Sequence, residues 1–181
     1  EINEREPFWH EPLPTSFASQ MKRLGYDTIY WYGGNASYGN FNHFGKAQGF
    51  DCVESASVFC GPDAPKTWVG VYDHEEEIKS LEHPTFHFIY TTSNHGPYKM
   101  EDSLLDYDPE QVMPNLGDDL KSNKKRNKEL ATYRYSDKAI FNFVNAMKEA
   151  FPDSLFVVTG DHSNLFGSLN NTSLIQRDYT L

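Results

Sequence analysis

Three times along this chain a short apolar or β-branched run gives way to residues suited to holding a ligand. Residues 28–32 lead into Gly33-Gly34-Asn35, residues 86–91 into Thr92-Ser93-Asn94-His95-Gly96-Pro97-Tyr98, and residues 155–159 into Gly160-Asp161-His162-Ser163. Each run has the length and composition of a strand, and the unbroken 155–159 run suits one buried on both faces. Segments with helical patterning separate them. Such alternation predicts right-handed βαβ crossovers and an α/β fold, a mostly parallel sheet with helices on both faces. In an open sheet of that kind ligands bind beyond the carboxyl ends of the strands. The three polar endings are therefore expected on one edge of the sheet.

The intervening pattern fills in the order. Residues 14–24 read as a helix, with Phe17, Met21 and Leu24 on one face and Gly25 suited to the left-handed position that ends it. Residues 37–48 are weakly helical through Phe41, Phe44 and Ala47, with Gly49 as the stop. Residues 52–59 are predicted as a short edge strand and residues 61–65 as a loop. Residues 73–81 are predicted as an acidic helix whose glutamates suit the helix dipole, a solvated face being the plainer reading than a cation site. Residues 99–125 lack periodicity and read as a long loop. Lys121, Lys124, Lys125, Arg126 and Lys128 cluster at its end, either as a solvated segment or as a surface for an anionic head group. The longest helix is expected over about 127–150, with Ile140, Phe143, Val144 and Met147 as its core stripe, and Pro152 ends it.

Composition narrows the function. At 181 residues the chain is long enough for one domain that buries about two-thirds of its unfolded surface. Thirteen Phe and eleven Tyr make it globular rather than disordered. A net charge of −10 argues against nucleic-acid binding and disfavours an anionic substrate unless a cation offsets it. Adjacent oxygen and nitrogen donors at Asp161 and His162 are plausible halves of a metal site; the plainer alternative is a turn cap and a surface histidine. His95 is open to both a functional and a surface reading, whereas His87, inside a strand run, reads as structural. Cys52 and Cys60 form no CxxC pair, leaving a disulfide and two buried thiols both open. No run approaches the ~18 apolar residues of a membrane span. The chain opens without methionine and closes without turn residues, so both ends are expected to be interior points of a longer protein.

The ordered series Gly25-Tyr26-Asp27-Thr28, Tyr32-Gly33-Gly34-Asn35, Gly49-Phe50-Asp51, Asn94-His95-Gly96-Pro97-Tyr98, Tyr135-Ser136-Asp137-Lys138 and Gly160-Asp161-His162-Ser163 resembles the sulfatase-like branch of the alkaline phosphatase superfamily. Within it the motifs are nearest to lipoteichoic acid synthases and phosphoglycerol transferases, over residues 13–181. The resemblance implies an alkaline-phosphatase-like fold, incomplete at both ends, with residues 1–181 as the C-terminal part of a catalytic domain. It implies a metal-dependent hydrolase or transferase acting on sulfate esters or phosphodiesters, small or lipid-linked. Asp161 and His162 would be ligands to a divalent Mn, Mg, Ca or Zn ion. His95 would stand at the transferred group as hydrogen-bond donor or acid, and Gly33, Gly34, Asn35 and Asn94 would line the substrate side. Membrane attachment and an extracytoplasmic or periplasmic location would come through segments outside this chain. Two departures stand out. The family's nucleophile and a further acidic ligand precede the helix at Pro14, where nothing here fills those roles. Gly39 and Phe41 stand where the synthases carry a tryptophan and an arginine for glycerol phosphate. The isolated chain is expected to be inactive, and a non-catalytic module that keeps the fold is the alternative.

Overall fold

The computed structural model describes residues 6–35, 38–55, 84–98, 100, 102–112 and 122–160. The chain groups into two compact units, residues 1–150 and 151–181. Among the described residues of the first, three strands make a parallel sheet: β1 (Asp27–Tyr32), β2 (Cys52–Ser55) and β3 (Thr85–Tyr90), in the order β2-β1-β3. Ile29 stands opposite Cys52 on one side and His87 on the other, and Tyr32 opposite Ser55 and Tyr90. Both faces of β1 are covered. Tyr30 and Tyr32 are buried on one face and Trp31 on the other, so the strand shows the continuous apolar run of a central parallel strand.

The face that carries Tyr30 and Tyr32 packs an aromatic core with Phe41, Phe50, Val53 and Tyr90. The Tyr32 and Phe41 rings lie 4.4 Å apart and those of Tyr30 and Phe50 5.3 Å apart, within the range where aromatic pairs attract beyond simple area burial. Phe41 opens helix α2 (Phe41–Ala47), which follows a 3-10 turn at Tyr38–Asn40. Gly45 lets α2 approach the sheet: a Cβ there would sit 2.8 Å from Tyr30 Cδ1 and 2.9 Å from Val53 Cγ2.

Helix α1 (Phe17–Arg23) is shorter than the predicted 14–24 and turned differently. Phe17 and Leu24 are exposed, while Ser16 and Ala18 are buried. The reason is polar anchoring: Ser16 Oγ donates to the Gln48 carbonyl at 2.6 Å, and the buried Gln48 side chain accepts from Leu13 N at 2.8 Å and donates to Phe8 O at 3.3 Å. Those bonds outweigh the apolar stripe. Asp51 ties β2 to β1, its Oδ2 accepting from both the backbone N and Oγ1 of Thr28 at 2.9 Å. Against the upward push of partial burial, the Lys22 ammonium and the two Thr28 donors hold its carboxyl below the usual carboxylate range. Cys52 is a thiol whose Sγ donates to Glu54 Oε1 at 2.7 Å, and Cys60 lies outside the described residues. Short helix α3 (Pro109–Val112) precedes α4 (Lys124–Ala150), where Met147 is buried and Ile140, Phe143 and Val144 are half-buried, as the apolar stripe predicts.

On the other sheet face Trp31 Nε1 donates to His87 Nδ1 at 2.9 Å, and His87 Nε2 stands 2.7 Å from Thr85 Oγ1. An indole N–H can only donate, so His87 is neutral with its proton on Nε2. Burial pushes its pKa down to about 4, so the neutral ring stabilises the fold above the unfolded value of 6.5, and that stability is lost as pH falls towards 4. Allowing for the partial exposure of the ring, the loss is about 2 kcal/mol. Urea unfolding at pH 7 and pH 4.5 measures it against His87→Asn, whose amide oxygen can accept from Trp31. The variant is expected to lose less stability over that interval than the native chain; equal losses contradict the assignment.

In the second unit the expected strand at 155–159 is absent. Residues 151–160 hold only a turn, closed by Ser154 N donating to Phe151 O at 3.1 Å, and Leu155 is 88 % and Val157 78 % exposed. An apolar β-branched run has the capacity to form a strand, but these residues do not adopt one here. The predicted loop at 61–65, the acidic helix at 73–81 and the outer half of 52–59 lie outside the described residues.

Candidate functional site

The strand order sets where a ligand can lie. From β1 the chain crosses through α2 to β2 on one side, then returns past β1 to β3 on the other. The sheet therefore has its topological switch point between β1 and β3, and such sheets take ligands outside the carboxyl ends of the strands at that crevice. Gly33-Gly34-Asn35 follows β1 there, and Thr92 to Tyr98 follows β3. Gly33 N extends the ladder by donating to Tyr90 O at 3.0 Å. Gly33 and Gly34 are buried, and Asn35, Asn94 and His95 are exposed. Five of the seven residues singled out from the sequence thus stand on two adjacent strand ends. The other two, Asp161 and His162, lie outside the described residues.

The turn after β3 is built for one conformation. Thr92 O accepts from His95 N at 3.1 Å, and His95 Nδ1 lies 2.6 Å from Gly96 O. A carbonyl only accepts, so Nδ1 carries its proton and Nε2 is the atom that can gain or lose one. The Thr92 and Ser93 hydroxyls are buried and find no partner among the described residues, at the root of the same turn. Tyr98 adopts φ 53, a left-handed conformation that costs a non-glycine residue about 1–2 kcal/mol. Helix α4 offsets that cost: Tyr98 Oη donates to Glu129 Oε1 at 3.1 Å, and the Tyr98 and Tyr133 rings lie 6.4 Å apart. Ser136 Oγ donates to Asn94 Oδ1 at 2.8 Å. Between the turn and the start of α4 lies a hollow of about 430 Å³ lined by Gly96, Pro97, Tyr98, Lys124, Lys125 and Lys128. It is a basic patch on a chain of net charge −10.

Glu129, Tyr98 and Ser136 were given no role by the sequence reading. The signal was present as spacing: 129, 132 and 136 share one helix face, yet their polar side chains do not register as a buried stripe. Phe41 is core, and Gly39 sits in the turn before it at φ 54. No group of three or more His, Cys, Asp or Glu among the described residues is placed to hold a metal ion. No described helix is long and apolar enough to cross a membrane.

A parallel α/β sheet with polar turns at the carboxyl ends of adjacent strands has close counterparts among solved structures of alkaline-phosphatase type. The chain is similar to the crystal structure of the lipoteichoic acid synthase LtaP from Listeria monocytogenes, with a TM-score of 0.73 at 20 % identity over 99 % of this chain and 43 % of that one. It is also similar to a protein in the alkaline phosphatase superfamily from Vibrio parahaemolyticus, with a TM-score of 0.69 at 22 % identity over 99 % of this chain and 42 % of that one. The sequence matches the Sulfatase family over residues 10–178, and the chain belongs to that family. Lipoteichoic acid synthase 1 of Bacillus subtilis (strain 168) is 24 % identical over 152 residues, which cover 80 % of this chain. The chain spans 22 % of the length of that protein.

Proposed function

We propose that this chain is the C-terminal part of the catalytic domain of a metal-dependent enzyme that cleaves or transfers sulfate esters or phosphodiesters, in the manner of a phosphoglycerol transferase. One observation carries the reading: the switch point of a Sulfatase-family sheet brings the glycine–asparagine turn after β1 beside the His95 turn after β3. In this reading His95, carrying a proton on each ring nitrogen, donates from Nε2 to the ester oxygen that gathers charge, while Gly33, Gly34, Asn35 and Asn94 line the substrate side. Asp161 and His162 belong to the holding set of a divalent cation, which when bound would polarise the ester oxygen. The basic hollow beside the turn suits a phosphate- or sulfate-bearing substrate, small or lipid-linked. Membrane segments elsewhere in the full-length protein would place the domain outside the cytoplasm.

The test uses the full-length protein, a phosphoglycerol lipid and an aryl sulfate. Turnover of one of the two is expected, with loss of at least 100-fold on stripping divalent metal with a chelator and recovery on adding back Mn, Mg, Ca or Zn. Full activity after verified metal removal contradicts the metal assignment. Failure to turn over either ester contradicts the enzyme reading.

A further inference from the structure

We infer that Ser136 and Glu129 of α4 are positioning residues that hold the His95 turn in place, and that Asn94 serves the same purpose through its side-chain oxygen. The inference rests on the reading that His95 acts on the substrate, but Ser136 and Glu129 are outside that reading, and Asn94 gains a second role through its side-chain oxygen. Ser136 is 2 % and Glu129 5 % exposed, unusual burial for polar side chains on a helix that carries many charged residues. They stand seven residues apart, two turns along one face. Each meets the turn on a different side of His95, Ser136 at Asn94 (2.8 Å) and Glu129 at Tyr98 (3.1 Å).

Glu129 is itself fixed, its Oε2 accepting from Arg126 Nη1 at 2.9 Å, so both carboxylate oxygens are spoken for. A buried carboxylate paired on both oxygens is costly to rearrange, and it anchors the one residue of the turn at positive φ outside glycine. Strained backbone persists where surrounding bonds over-determine it, and here they come from one rigid 27-residue helix. On the same helix, Arg134 Nε donates to Asp106 O at 2.9 Å and Lys128 pairs with Asp102 at 2.8 Å, so the segment after the turn is laced to α4 as well. An exposed histidine on a turn is ordinarily mobile. This one is gripped one residue before and three residues after. Misplacing a reacting group by about 1 Å can cost up to about 100-fold in rate, which gives the clamp a function beyond stability.

A mutant cycle in the full-length protein tests it. Ser136→Ala is expected to lower kcat about tenfold with KM little changed, and Ser136→Thr, which keeps the hydroxyl, to restore most of the rate. In a His95→Ala background, Ser136→Ala is expected to cost nothing further, because it acts through His95. An equal loss in both backgrounds, or no loss in either, overturns the inference. Tyr98→Phe, which deletes only the hydroxyl that reaches Glu129, repeats the cycle independently if Ser136→Ala does not fold. A second readout separates this inference from the functional reading beneath it. The His95 ring resonances in nuclear magnetic resonance spectra of the labelled protein are expected to shift and broaden in Ser136→Ala and Tyr98→Phe. If His95→Ala leaves turnover intact while those resonances still move, the catalytic reading fails and the clamp stands; unmoved resonances refute the clamp.

Discussion

On the proposed reading, the His95→Ala variant of the full-length protein is expected to turn over an ester substrate about 100- to 1,000-fold more slowly than the native protein, at nearly unchanged stability. The size follows from what the side chain does. A single donor aimed at charge that develops in the transition state contributes about 3–4 kcal/mol in a water-poor site, and a positioned proton donor a similar factor. Stability is spared because the ring is exposed and its described bond runs to the adjacent Gly96 carbonyl. His95→Gln separates two roles for the same atom. Glutamine can still donate a hydrogen bond but cannot release a proton to a leaving group. Partial rescue by Gln therefore marks a hydrogen-bond donor, and a rate as low as that of Ala marks an acid. The acid role further predicts that the pH profile of kcat/KM loses one limb in both variants. Rates within a few-fold of native for His95→Ala sink the assignment of this histidine.

How much of this was readable beforehand varies by element, for physical reasons. The β1 and β3 strands, the parallel sheet and the long helix follow from dense β-branched and aromatic runs and from a 3.6-residue apolar period at Ile140 to Met147, signals that tertiary packing reinforced. The switch point was legible only as a coincidence of strand endings; the order β2-β1-β3 turned two of the three into neighbours. The run at 155–159 has a clear strand composition, yet its described residues form none, because composition records only a capacity to pair. The face of α1 differs from its apolar pattern because the Ser16 and Ser19 hydroxyls, both donating to the Gln48 carbonyl, and the Gln48 amide outbid Phe17 and Leu24. The roles of Ser136, which lies in one of the quoted motifs, and of Glu129 are not legible for the same reason. Hydropathy patterns find apolar stripes, whereas a buried polar stripe looks solvated until the bonds that satisfy it are seen.

Trp31→Ala should be the most damaging single substitution in the described core, at about 4 kcal/mol. The indole is 2 % exposed at the middle of the central strand, so its loss opens a cavity that neither β2 nor β3 can collapse into without breaking the ladder. It also leaves the half-buried His87 Nδ1 without its donor, a second and separable penalty. Trp31→Phe isolates that second part: the ring largely fills the space, the N–H is gone, and the expected loss is about 1–3 kcal/mol. The two variants also differ in how they answer to pH. In Trp31→Phe the imidazole no longer has to keep Nδ1 as an acceptor, so protonating it costs less, and the stability lost between pH 6.5 and 4 should shrink relative to the native chain. Equilibrium unfolding in urea at the two pH values measures both effects. Because β1 also carries Gly33-Gly34-Asn35, a sheet loosened at Trp31 is expected to lose substrate binding before it loses its fold, raising KM in Trp31→Phe while kcat falls less. A Trp31→Ala variant as stable as the native protein would mean that the sheet does not depend on its central strand, and the placement of the site at the β1–β3 crevice would go with it.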